Sequence, residues 1–237
     1  MPGLVSLVLA DARFPGGGHV HSGGLEQAVA QGLVDDVASL HAFLRGRLRT
    51  AGLVACCVAA ATAVRLGDFA ALDAALDART PSAAQREASR AQGKASLRAA
   101  RAAWPSPELE TLVAVDRRPH HPLLAGLLIG LGGAGSAGAG AAADNAAGTA
   151  ADAARCVGYL AVSGPASAAV RLLGLDPFAV NAAVVALGPE LDAIAEQAVA
   201  HASGPLADLP APGAPVLDLM AESHVRRHHE RVCLFAS

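Results

Sequence analysis

A chain of 237 residues, 53% hydrophobic, is long enough to bury a full core, and a formal net charge of −3 creates no field that would draw it to nucleic acid or anionic lipid. Aromatic residues make up only 3%, and alanine with leucine supplies most of the apolar content, which excludes a β-sandwich and predicts a single all-α domain over 1–237. Four cysteines, Cys56, Cys57, Cys156 and Cys233, form no CxxC pair and no disulfide framework, so buried thiols in a reducing, cytoplasmic setting are expected.

The first residues are apolar but meet Asp11 and Arg13 at once, without the basic leader of a secretory signal. The segment FPGGGHVHSGGLE, 14–26, follows. Its glycines permit positive φ, Ser22 is placed to accept the free amide of Leu25, and Glu26 is a first-turn acid, so it reads as an irregular entrance to a helix. From Ser39 to Leu66, Leu40, Phe43, Leu44, Leu48, Ala51, Ala55, Val58, Ala59 and Thr62 recur at three and four, with Arg45, Arg47 and Arg49 off the stripe. This predicts one long core helix. A shorter helix is expected over 68–78, and Ser82 caps the next, which runs to about Ala103 ahead of Trp104. That helix carries Arg86, Arg90, Lys94, Arg98 and Arg101 on one face, with Glu87 as main counterweight, and Ala88, Ala91, Ala95, Ala99 and Ala102 on the other. Such a basic face is either solvated or meets an acidic partner.

After His120 a helix starts at PLLAGLLIGL; although no charge occurs from Pro122 to Ala143, the Gly-rich second half argues against a membrane span. A further helix, 151–173, is expected to kink or break at Ser163-Gly164-Pro165. Helices over 177–188 and 189–201, a Pro-rich connection, and a helical tail over 216–237 complete a count of about eight to ten.

Few motifs carry chemistry. Gly133–Gly138 satisfies GxGxxG, with Asp152 at a plausible distance for a ribose contact, but no strand pattern precedes it. A nucleotide-dependent enzyme built on that loop is therefore the minor alternative to a helix–helix connection. No Walker A loop and no GxSxG elbow occur. His224 and His228, four apart, share a helical face and are weak candidates for a nickel or zinc chelate, which would make the chain a direct carrier of that ion. Two ligands do not close a site.

Leu9-Ala10-Asp11, Phe14-Pro15-Gly16-Gly17-Gly18 and His21-Ser22-Gly23-Gly24-Leu25-Glu26 together resemble the amino-terminal signature of the UreF family of urease accessory proteins, roughly LxxADxxLPxGGFxHSxGLE. REASRAQGKASL at 86–97, HHPLLAGLL at 120–128, GYLAVSGPASAAVRLLGLD at 158–176 and ESHVRRHHERVCLFAS at the end are similar to further family segments in the same order. Departures are His19 where an aromatic is usual, Cys233 where an arginine is frequent, and the Gly/Ala-rich 132–150.

The resemblance implies an all-α UreF-like homodimer with no catalytic centre and no cofactor of its own. It would join UreD/UreH and the GTPase UreG in a complex that handles nickel and GTP on behalf of apo-urease. On the family pattern, Pro15, Gly17, His21, Ser22, Gly24, Leu25 and Glu26 shape the fold and partner surface. Arg86 and Glu87 belong to the second motif, and Glu222, His224, Leu234 and Phe235 to a partner-docking tail.

Overall fold

The computed structural model describes residues 3–134, 142–230 and 234–235. All regular structure among them is helical: α1 (Leu4–Ala10), α2 (Leu25–Ala30), α3 (Val37–Arg47), α4 (Leu53–Val64), α5 (Phe69–Ala78), α6 (Ala83–Ala103), α7 (Pro107–Val115), α8 (His121–Ala134), α9 (Ala142–Leu173), α10 (Pro177–Ala186), α11 (Gly188–Ala202) and α12 (Pro215–Glu230). The all-α expectation holds. The count exceeds it because α1 and α7 are additional and a π turn at Leu48–Gly52 divides the long core helix into α3 and α4.

Helix starts follow local chemistry. Asp36 and Ser39 form a reciprocal capping box at α3, Ser82 and Ser106 accept the amides of Gln85 and Leu109 at α6 and α7, and Asp176 caps α10 ahead of Pro177. α4, α8, α9 and α11 pack on one another as the centre of the bundle. Small residues make that possible. A Cβ on Gly130 would lie 2.5 Å from the carbonyl oxygen of Ala63, and one on Gly126 would overlap that of Ala59, so α8 lies directly on the backbone of α4. The described start of the uncharged run, α8, is thus a buried core helix, and its fourteen residues are too few to cross a bilayer. The rods over 37–64 and 145–173 are long and apolar enough to do so, but here their apolar faces pack against the rest of the bundle.

The break expected at Pro165 does not occur: α9 runs unbroken through it. Proline leaves the carbonyl four residues earlier, that of Ala161, without its helical donor. Arg47 Nε supplies one at 3.0 Å. Arg47, placed off the core stripe by spacing, is therefore turned inward, where the π turn that follows it shifts the register of the helix.

Candidate functional site

Residues 16–18 lie across α6. A Cβ on buried Gly16 would stand 2.6 Å from Ser96 Oγ, and Gly17, at φ 70°, passes Ala95 so closely that its Cβ would touch that side chain at 3.5 Å. Pro15 is exposed at the start of this crossing. The glycines allow backbone to lie on the alanine face of α6, so that face is used within the chain. Beyond it, Gly23 and Gly24 both adopt positive φ and turn the chain into α2. Ser22 is buried, and its carbonyl, not its hydroxyl, takes the Leu25 amide (3.2 Å). The hydroxyl accepts from Glu26 instead (3.3 Å), one residue later than expected, because two left-handed glycines tighten the turn. Leu25 is buried in the core.

Glu26 connects this motif to the other end of the chain. Its Oε1 accepts the amide of Leu234 at 2.9 Å and its Oε2 that of Phe235 at 3.0 Å. Phe235 is 2% exposed, lies beneath the Arg171 guanidinium at 4.4 Å from ring centroid to Cζ, and its carbonyl oxygen is 3.2 Å from His224 Nε2. His224, one of the two candidate chelating histidines, is buried; the side chain of the other, His228, lies outside the described residues. Glu222, two residues earlier on α12, accepts from Ser82 Oγ (2.7 Å) and the Ala84 amide (3.0 Å) at the start of α6. These bonds, backbone first, hold its carboxyl below the usual glutamate range. The tail helix is thereby fixed to α6 by a carboxylate at a helix N-terminus.

The basic face of α6 is largely neutralised inside the molecule. Arg90 bonds Asp73 (2.7 Å), Asp77 (3.0 Å) and Asp116 (2.7 Å), Arg86 donates to the carbonyls of Thr80 (2.6 Å) and Pro81 (2.9 Å), and Arg101 pairs with Glu110. Glu87 pairs with Arg118 from across the turn, not with its own helix. Lys94 and Arg98 remain exposed. His120 is buried between Ser89 Oγ (3.0 Å) and Asp77 Oδ1 (2.8 Å). Burial pulls its pKa down despite the bond to Asp77, and in the neutral ring Nε2–H donates to Asp77 while Nδ1 accepts from Ser89. Asp73, Asp77 and His120 are the group with metal-ligand spacing among the described residues, but the Arg90 guanidinium fills the position a cation would take.

Between these elements lies a cavity of about 430 Å³, lined among others by His21, Arg47, Gln92, His121, Leu160 and His224. His121 is pulled down to about 4, by burial first and by neighbouring His21 second. Family-pattern residues from three segments, His21, Glu87 and His224, thus face one space. Spacing alone did not single out Arg47 or His121. A signal for Arg47 exists in hindsight: Pro165 inside an apolar helix demands a donor for Ala161.

The Gly133–Gly138 loop lacks the context of a dinucleotide site. Helix α8 leads into it, no strand occurs among the described residues, and residues 135–141 lie outside them. Gly133 serves close packing: its carbonyl accepts from Asn145 Nδ2 (3.2 Å), and a Cβ there would sit 2.5 Å from Thr149 Oγ1. Asp152 is engaged by the Gly3 amide (2.9 Å) and Ser6 Oγ (2.5 Å).

Comparison with known proteins finds relatives over nearly the whole chain. The family model described as UreF matches residues 34–188. A protein of Mycolicibacterium vanbaalenii named urease accessory protein UreF is 45% identical over 237 residues, covering 98% of this chain and 97% of that protein. Proteins of the same name from Mycobacterium sp. strain JLS and Mycobacterium marinum are 42% and 41% identical, each alignment covering 98% of this chain and 97% of the relative.

Proposed function

The chain belongs to the UreF family of urease accessory proteins, and from that premise we propose that it acts as a non-catalytic adaptor in the cytoplasm, joining UreD/UreH to the GTPase UreG for delivery of nickel to apo-urease. The observation that carries the reading is the construction of the tail. Glu26, His224 and Arg171 hold Phe235 inward, so Leu234 stands outward at 63% exposure. Leu219 on α12 is 67% exposed, and Val216 is exposed one turn before it. Apolar side chains displayed by a rigidly seated element suit a partner surface. In this reading nickel and GTP are cargo and fuel of the assembled complex, and the buried thiols Cys56, Cys57 and Cys156 suit a reducing compartment.

The adaptor is proposed to work as a homodimer. The outer face of α10 bears no charge and presents Phe178 at 84% and Val185 at 67% exposure, two helical turns apart, and is the surface to alter first.

The test is size-exclusion chromatography with light scattering of the chain co-expressed with UreD/UreH, with and without UreG. Co-elution in an even stoichiometry supports the adaptor, with Leu219→Asp abolishing it and Phe178→Asp halving the mass. Failure of soluble, folded partners to associate contradicts it.

A further inference from the structure

The polar wall of the 430 Å³ cavity is cationic and short of counter-charge. Arg47 and Arg79 both line it, and neither has a carboxylate partner among the described residues. Arg79 is spent on backbone carbonyls, those of Ala75 (2.9 Å), Leu206 (2.8 Å), Ala207 (3.1 Å) and Leu209 (3.1 Å). Arg47 is not. Its Nε goes to Ala161 (3.0 Å) and its Nη1 to the carbonyl of Gly23 (2.8 Å), while Nη2 has no acceptor among the described residues. Burial, unopposed by any nearby acid, pulls this guanidinium to about 10, which leaves it charged at neutral pH. The two acids on the cavity wall are already engaged: Glu87 with Arg118, and Asp218 with Gln85 Nε2 (2.9 Å). His21 and His121 stand on the same wall, and apolar Val54, Leu160 and Leu217 line the space beyond.

A half-buried guanidinium whose hydrogen bonds go to neutral carbonyls is an incomplete ion pair. The planar fork of N–H groups matches a carboxylate, and the apolar walls match a short aliphatic chain. We propose that this cavity binds a small monocarboxylate, its carboxyl group on the remaining N–H groups of Arg47 beside His21 and His121 and its chain against Val54, Leu160 and Leu217. The site is independent of the urease reading and is assigned from the Arg47 geometry alone.

Butyrate is the probe, with 1-butanol and sodium chloride as controls for chain and charge, followed by NMR of the imidazole C–H and Arg47 Nε–H resonances at constant ionic strength. The expected result is a saturable shift with butyrate, about tenfold weaker binding in Arg47→Lys, and none in Arg47→Gln. Non-saturating shifts, equal binding of butanol, or unchanged affinity in folded Arg47→Gln would overturn the proposal. Should Arg47→Gln fail to fold, Ala88→Leu decides, because it fills the cavity from α6 and leaves the bonds of Arg47 intact. Loss of butyrate binding in that variant supports the site, and wild-type affinity overturns it.

Discussion

Glu26 and Phe235 are 209 residues apart in the chain and 3.0 Å apart across a hydrogen bond, with the Leu234 amide bonded to the other oxygen of the same carboxylate. A carboxylate accepting two amides is stronger than a neutral pair, and its loss leaves Phe235 held by its burial, Arg171 and His224. Glu26→Ala is expected to cost about 1–2 kcal/mol. Hydrogen exchange at the Leu234 and Phe235 amides should accelerate at least about tenfold while core amides are unchanged, as expected for local opening. Unaltered exchange at these amides would show that the carboxylate does not hold the tail.

Arg47 and Pro165 form a coupled pair through the Ala161 carbonyl. Arg47→Met removes the donor and leaves a part-buried acceptor bare, at a cost of about 1–3 kcal/mol. In a Pro165→Ala background the helix supplies its own amide to Ala161, so the same substitution should cost less. Urea denaturation of the four proteins gives the interaction energy directly. A cycle that closes with no coupling would refute the pairing.

Glycines in this chain divide by what surrounds them. A Cβ at Gly93 would overlap the carbonyl oxygen of Pro119, where α6 meets the segment leading to His120, so Gly93→Ala should destabilise by about 1–3 kcal/mol. Gly46 on α3 has nothing within 4 Å of its Cβ position, and Gly46→Ala should stabilise by roughly 0.5–1 kcal/mol through helix propensity. Denaturation midpoints that move in the same direction would contradict these two packing environments.

His121 makes folding pH-dependent. Its folded pKa of about 4 lies below the ordinary histidine value of 6.5, so the unfolded chain binds a proton that the folded chain does not. The stability this contributes is complete above pH 6.5 and is lost as pH falls from there toward about 4, with a slope approaching roughly 1.4 kcal/mol per pH unit. His121→Gln should lack that component. Equal pH dependence of the two proteins in chemical denaturation would mean that the ring is not held neutral.

Helices and caps were legible because they are local: Ser82 before a polar helix and Pro177 after Asp176 identify themselves by type and spacing. The family motifs were legible as sequence, but their meeting was not. Nothing near Glu26 announces that its acceptors are the amides of Leu234 and Phe235, and nothing near Glu222 announces the start of α6. The Pro165 break was expected because proline removes a donor within its own helix, and it failed to appear because Arg47 supplies one from another. The basic face of α6 likewise lost its apparent demand for a partner to Asp73, Asp77 and Asp116, carboxylates that only tertiary structure brings to Arg90.

The most direct test of the urease role is maturation itself. Apo-urease and the remaining accessory proteins are expressed with and without this chain, and the purified urease is assayed for bound nickel and for activity. The account predicts nickel-loaded, active urease with the wild-type chain, reduced loading with Glu26→Ala or Leu219→Asp, and apo-enzyme without it. Equal nickel content and activity in its absence would contradict the assignment.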